Sequence, residues 1–294
     1  MTIFKGAGTA IITPFSPDFT IHYDKLDELL NEQIQEGIDA IIICGTTGES
    51  ATMTEKEHLE AITFAVERVK GRVPVVAGTG SNCTATAIQL TKEAESVGAD
   101  ACLVMTPYYN KATQKGLVSH FTAIANSTKL PIIMYNIPSR TGVGMSADTV
   151  ATLAKNVPNI AAIKESTGDI GFVCRTMNLC DGNLDLYSGN DDQIVPLLSI
   201  GGIGVISVLS NVVPKFTHDM VFNFLNGEYQ KAGQMQLQAM PFVDALFSEV
   251  NPIPVKAAMN LLGKEVGSLR APLTEIEGHN LALLKKAMTD FGLL

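Results

Sequence analysis

The chain has 294 residues, 46% of them apolar and 17% charged, with a formal net charge of -9. That is enough for one large domain or two ordinary ones, and the apolar share is that of a chain with a sizeable core rather than a disordered one. The acidic balance argues against nucleic acid or an anionic membrane as partner, while leaving room for a small anionic substrate held by a few local cations.

No basic stretch followed by an apolar core opens the sequence, and no apolar run reaches membrane-spanning length. Neither a secretory signal nor a membrane span is therefore expected, and the cytoplasm is the expected compartment. The five cysteines (Cys44, Cys83, Cys102, Cys174, Cys180) are scattered, with no C-x-x-C spacing. This points to neither a disulfide framework nor a zinc site. Cys44 and Cys102 fall inside apolar runs, as small core residues do.

Taken in order, an apolar run from Gly8 closes at Pro14 and reads as a first strand. Leu26, Leu29, Leu30 and Ile34 have helical spacing within Tyr23 to Gly37. A second strand, Ile38 to Cys44, leads into Gly45-Thr-Thr-Gly-Glu-Ser50, and a helix is expected from Glu55 to Val69. Val73 to Ala77 is a third strand, and Thr84 to Val97 a helix. Then come a strand at Ala101 to Met105, a helix at Gly116 to Ser127, a strand at Pro131 to Met134 and a helix at Ser146 to Lys155. The apolar run Ile160 to Ile163 is a sixth strand that ends abruptly in Lys164. Beyond it are a helix at Gly171 to Leu179, a strand at Leu184 to Tyr187, a helix at Gln193 to Ser199, a last strand at Gly204 to Val208 and a helix at Pro214 to Leu225.

Eight strands, each followed by a helix, imply a parallel sheet, and eight such units over roughly 225 residues fit a TIM (β/α)8 barrel. An open doubly wound sheet is the other possibility, but no Gly-x-Gly-x-x-Gly follows the first strand. From Asn226 strand signals stop, and Leu237 to Val250, Pro254 to Leu262 and Thr274 to Phe291 read as helices, with Pro241 near the start of the first. The expected organisation is a catalytic barrel over residues 1–225 and a C-terminal helical extension over 226–294, packed on the barrel with no low-complexity linker between them.

In such a barrel the C-terminal strand ends make the active site. Here they carry mostly hydroxyls, one lysine and one arginine: Thr46 and Thr47, Tyr108 and Tyr109, Tyr135 with Arg140 beyond it, and Lys164. A lysine at the tip of a buried strand is either ion-paired, for example to Glu165, or snorkels outward, or is a neutral amine able to attack a carbonyl. Residues 45–51 form a glycine-rich turn between strand and helix that suits an anion, or is an ordinary turn; it lacks the Gly-Lys-Ser/Thr of a nucleotide loop. Tyr135 could exchange protons with a nearby amine, or simply pack. Arg140 could hold a carboxylate, or be solvated. The pair Asp191-Asp192 reads as a helix cap. His22, His58, His120, His218 and His279 fall away from the strand tips, as surface or satisfied side chains, and no metal site is expected.

Four motifs together, Gly45-Thr-Thr-Gly-Glu49, Tyr135-Asn-Ile-Pro-Ser-Arg-Thr-Gly142, Ile163-Lys-Glu-Ser166 and Gly202-Ile-Gly-Val-Ile-Ser207, closely resemble the dihydrodipicolinate synthase family. These are pyruvate-dependent class I aldolases related to N-acetylneuraminate lyase. The likeness extends through Pro252-Ile-Pro-Val-Lys-Ala-Ala258. The resemblance implies condensation of pyruvate with L-aspartate 4-semialdehyde to 4-hydroxy-tetrahydrodipicolinate, the first committed step of the diaminopimelate and lysine pathway. It implies no cofactor beyond a covalent Schiff base between pyruvate and Lys164, and a homotetramer. It makes Tyr135, Thr46 and Tyr109 a proton relay, with Tyr109 reaching into the adjacent subunit. It places the pyruvate carboxylate at Thr47, the semialdehyde carboxylate at Arg140, and Gly189 and the Ile206 backbone at the pocket wall. The Thr-Thr pair and Arg140 favour this activity over the sialic-acid lyase type. A lysine feedback pocket is matched at Ser50, Ala51, His58, Asn82 and Tyr108. Glu55 stands where some inhibited members carry histidine, and Thr86 where the inhibitor-binding ones carry glutamate, so weak or absent inhibition is expected. A sister 2-oxo-acid aldolase and a silent carboxylate-binding barrel are the competing readings.

Overall fold

The computed structural model describes residues 2–294. Eight strands, β1 (Gly6–Ala10), β2 (Ala40–Ile43), β3 (Val75–Gly78), β4 (Ala101–Met105), β5 (Ile132–Asn136), β6 (Ile160–Glu165), β7 (Asp185–Ser188) and β8 (Gly204–Ser207), close into a parallel barrel in sequence order. Parallel strands need long crossovers. These are α1 (Tyr23–Gln35), α2 (Glu55–Val69), α3 (Thr84–Ser96), α4 (Gln114–Ala125), α5 (Pro138–Thr141), α6 (Ala147–Asn156), α7 (Ile170–Cys180), α8 (Ile194–Ser199) and α9 (Pro214–Leu225). The expected TIM barrel is the fold. Three further helices, α10 (Tyr229–Leu246), α11 (Ile253–Leu261) and α12 (Gly278–Phe291), form the C-terminal extension.

The strands are buried on both faces, and side-chain alternation divides their residues into two cores. Ile41, Ile43, Val75, Ala77, Val104, Met134 and Ile163 face the helices. Ile42, Val76, Leu103, Ile133, Ala162 and Ile206 fill the barrel, with Phe4 stacked on Tyr187 at 4.4 Å. One irregularity sets the parity of β6. Ile132 pairs with Ile160 but Ile133 pairs with Ala162, so Ala161 is an extra residue against β5. Such a bulge moves every later side chain to the opposite face. Ala162 and Lys164 therefore point inward, while Ile163 and Glu165 point outward.

Element ends mostly lie within two residues of expectation, and two departures have clear causes. The helix expected from Leu237 begins at Tyr229, with Pro241 in its interior. Its first turns bury little besides Ala232 and Gln236, so the apolar period there is weak. Pro241 removes the hydrogen bond to the carbonyl of Leu237, a residue 73% exposed on the solvent side of the helix. The short helix α5, after the tip of β5, stands where a loop was expected and has Pro138 at its start and Gly142 at its end, with φ 73°.

Among the described residues, no helix is long and apolar enough to cross a membrane.

Candidate active site

The C-terminal strand ends surround a cavity of about 50 Å³ lined by Thr46, Thr47, Tyr135, Arg140, Lys164 and Gly189, together with Asn190, Val208, Phe247 and Asn251. Six of the eight residues expected to act in catalysis or substrate binding are thus brought together. Tyr135 and Lys164 sit opposite each other in the β5–β6 register, and the Lys164 Nζ lies 4.3 Å from the Tyr135 ring centroid. Lys164 is only 5% exposed. Among the described residues no carboxylate lies within 4.0 Å of its Nζ. Glu165, on the opposite face of the strand, instead accepts from Asn136 Nδ2 at 2.9 Å and from the Thr167 amide at 2.7 Å. Burial raises its carboxyl pKa against those bonds. The sequence-level alternatives of a Lys164–Glu165 pair and of a snorkelling lysine are both excluded.

Gly189 makes room for the lysine: a Cβ there would lie 2.0 Å from Ser166 Oγ and 2.9 Å from Lys164 Cε. The threonine pair lies in a turn bracketed by two non-glycine residues in the left-handed region, Cys44 (φ 56°) and Glu49 (φ 55°). Such conformations cost of order 1–3 kcal/mol each and persist only where surroundings impose them. Thr13 Oγ1 donates to the Gly48 carbonyl at 2.7 Å. Glu49 Oε1 accepts from Lys256 Nζ at 2.9 Å, and Oε2 accepts from the Arg270 amide at 3.0 Å. Gly78 must lack a side chain, since a Cβ would meet the Cys44 carbonyl at 2.2 Å.

Two expected residues lie elsewhere. Ile206 is fully buried in the barrel core, and the neighbouring Val208 lines the cavity instead. Tyr109 is 89% exposed, with φ 73°, and faces out of this chain.

A second pocket of about 430 Å³ adjoins the first, sharing Thr46, Ile137, Arg140 and Asn251. Ser50, Ala51, Glu55, His58, Thr86 and Tyr108 line it. Asn82 does not; its carbonyl accepts from Asn110 Nδ2 at 2.9 Å. His58 is neither a surface nor a satisfied side chain: it is buried, its Nδ1 has no partner, and burial lowers its pKa. His120 is likewise buried, with Nδ1 on Thr84 Oγ1 at 2.9 Å and Nε2 unpaired. Asp191 is no cap for its own helix. Its Oδ2 accepts from the Val208 and Leu209 amides, both at 2.9 Å, and so ties the β7 loop to the end of β8. Among the described residues, no group of three or more His, Cys, Asp or Glu side chains is placed to hold a metal ion.

The residues that sequence reasoning left without a role come mainly from the extension. Asn251 Nδ2 donates to Thr47 Oγ1 at 3.0 Å, and its carbonyl accepts from Arg140 Nη2 at 3.0 Å. Lys256, 1% exposed, donates to Glu49 and to the Thr13 and Ser268 carbonyls. The motif that contains Lys256 was visible, but its partners Thr13 and Glu49, more than 200 residues away, were not.

Barrel and cavity together define a (β/α)8 protein whose chemical centre is a buried primary amine beside a phenol, two threonines and a guanidinium. The dihydrodipicolinate synthetase family model matches residues 3–290. The 4-hydroxy-tetrahydrodipicolinate synthase of Lachnoclostridium phytofermentans is 57% identical over 294 residues, covering 100% of both chains. The dihydrodipicolinate synthase structure from Thermotoga maritima superposes with a TM-score of 0.97 at 40% identity, covering 100% of each chain. A monomeric dihydrodipicolinate synthase variant superposes equally well, at 0.97 and 41% identity over 99% of this chain and 98% of that one. The chain belongs to the dihydrodipicolinate synthetase family.

Proposed function

We infer that this chain is a 4-hydroxy-tetrahydrodipicolinate synthase, a lyase that condenses pyruvate with L-aspartate 4-semialdehyde in lysine and diaminopimelate biosynthesis. The observation that carries the reading is the meeting of Lys164, Tyr135, Thr46, Thr47 and Arg140 on one small cavity, with Lys164 buried and lacking an acid partner. In the reading proposed here, the Lys164 amine attacks the pyruvate carbonyl carbon and water leaves, giving an iminium. This electron sink lets a methyl proton depart, and the resulting enamine attacks the aldehyde carbon. The amine of the new chain then adds to the iminium carbon, expels Lys164 and closes the ring. Tyr135 and Thr46 carry protons between alcohol, water and amine, a task suited to hydroxyls, which can both give and accept a proton. Thr47 takes the pyruvate carboxylate and Arg140 that of the semialdehyde, with Gly189 and Val208 shaping the wall.

No cofactor beyond covalently bound pyruvate enters this scheme. The barrel, residues 1–225, supplies the reacting groups, and residues 226–294 brace one wall of the cavity. The outward Tyr109 fits a relay completed by a neighbouring copy, in a homotetramer working in the cytoplasm. The larger pocket is read as an effector site with weak or no response to lysine, because Thr86 offers no carboxylate to an ammonium; a steep fall in rate at sub-millimolar lysine would contradict this.

Arg140→Ala provides the test of substrate assignment. Use of aspartate semialdehyde should weaken about 10²-fold more than use of pyruvate, as expected for a lost bidentate carboxylate contact. Equal loss of both would refute the role.

A further inference from the structure

We propose that Asn251 is a positioning residue for the keto acid: its side-chain amide turns the Thr47 hydroxyl into a dedicated donor to the substrate carboxylate. The inference rests on the reading that pyruvate is held at Thr47. Asn251 lies between α10 and α11, is only 6% exposed, and lines both the lysine cavity and the adjoining pocket. Its Nδ2 donates to Thr47 Oγ1 at 3.0 Å. A hydroxyl has one proton to give and two lone pairs to fill. Once Thr47 accepts from Asn251, its own proton is left over, and among the described residues no protein acceptor takes it. Thr47 is itself 2% exposed, so bulk water does not compete freely for that proton. An anion entering the cavity would meet a hydroxyl already aimed to donate, and hydrogen bonds to a charged acceptor are roughly twice as strong as neutral ones.

The reverse orientation of the amide is disfavoured. As placed, Oδ1 and the second N–H of Nδ2 lack partners. Turned over, Oδ1 would take the Thr47 proton and both N–H groups would go unmet, exchanging an unmet carbonyl acceptor for a second unmet N–H, the rarer and costlier of the two in a buried site. Arg140 is engaged differently: its Nη2 donates to the Asn251 main-chain carbonyl at 3.0 Å. One residue of the extension therefore touches both predicted carboxylate binders, Thr47 through its side chain and Arg140 through its backbone. Side-chain substitution separates the two.

The test compares Asn251→Ala with Asn251→Asp in steady-state kinetics with both substrates varied. Alanine frees the Thr47 hydroxyl to rotate and should raise KM for pyruvate about tenfold. Aspartate keeps the shape but only accepts; it would draw the Thr47 proton toward itself and set a negative charge near the substrate's. It should raise KM for pyruvate at least about tenfold beyond alanine. In the alanine variant KM for aspartate semialdehyde should stay within about threefold, because the backbone contact to Arg140 persists. A purely structural residue predicts the opposite order, with the same-shaped aspartate milder and both KM values moving together, and that result would overturn the proposal. If the aspartate variant does not fold, a cycle with Thr47→Val decides: Asn251→Ala should then add nothing to the pyruvate KM, and additive effects would overturn the proposal. Wild-type protein treated with pyruvate and borohydride separates the failures. No adduct removes the reading of the site and this proposal with it, whereas an adduct with alanine and aspartate equal in effect removes only the role of Asn251.

Discussion

Two lysines lie deep in this protein, and the difference between them carries the functional argument. Lys164 ends β6 inside the barrel mouth; Lys256 lies in α11 beneath the turn that bears the threonine pair. Both are almost fully buried, and each Nζ lies 4.3 Å from the centre of an aromatic ring, Tyr135 for one and Phe15 for the other. Burial and a neighbouring ring therefore do not distinguish them. Their partners do. Lys256 has Glu49 at 2.9 Å and two main-chain carbonyls, so all three of its donors are taken. Burial pushes its pKa down while Glu49 pulls it back up. Lys164 has no carboxylate within 4.0 Å, Asp191 acting on it only from further off, and it shares a cavity wall with hydroxyls. A buried lysine with its donors satisfied holds structure together; one without an acid partner is available for chemistry.

The sharpest way to break that contrast is to delete each amine. Lys164→Ala should lower kcat at least about 10³-fold while moving the unfolding free energy by less than about 1 kcal/mol, since it removes the proposed nucleophile but no ion pair. Lys256→Met should do the reverse to stability. It leaves Glu49 buried without its cation, a loss of about 3–5 kcal/mol, read as a lowered midpoint in denaturant. Should Lys164→Ala destabilise as strongly as Lys256→Met, the distinction drawn here would be wrong. Gly189→Ala sharpens it further. The added methyl would press on the Lys164 side chain, and a displacement of about 1 Å is expected to lower kcat about 10²-fold with the chain still folded.

The smallest effect is expected near Lys256, at the pair Arg270–Glu57. Arg270 Nη2 donates to Glu57 Oε1 at 2.6 Å and Nη1 to Oε2 at 3.2 Å. The arginine holds the carboxyl down at about 2 against an ordinary value of 4.5. Because the folded value lies below the unfolded one, this stabilisation is complete above the unfolded value and is lost as the pH falls through about 2. Glu57→Gln should cost about 1 kcal/mol near neutrality, the pair being partly solvated. The gap between the melting temperatures of wild type and variant should close as the pH drops through that window. A gap constant with pH would show that the charge contributes nothing.

Much of this was legible in the sequence because barrel strands are short, apolar and regularly punctuated. The eight units, the ends of α2 and α9, and the strand tips bearing Thr46, Thr47, Tyr135 and Lys164 followed from local pattern. The side to which Lys164 points did not. It depends on the extra residue at Ala161, and a bulge leaves no mark in a run of four small and branched apolar residues. Nor could local pattern foresee that α10 runs on through Pro241, one turn after Leu237 on the exposed side of the helix. Asn251 and Lys256 were silent for a further reason. Their meaning lies in contacts more than 200 residues distant, with Thr47 and Glu49, which exist only once the extension has folded back onto the barrel.

The central claim is that the amine of Lys164, and not that of Lys256, meets a keto acid. Incubation with pyruvate and borohydride, followed by proteolysis and mass mapping of the two lysine peptides, tests it directly. A reduced pyruvate adduct is expected on the peptide containing Lys164, with Lys256 unmodified. An unmodified Lys164, or equal labelling of both, would contradict it.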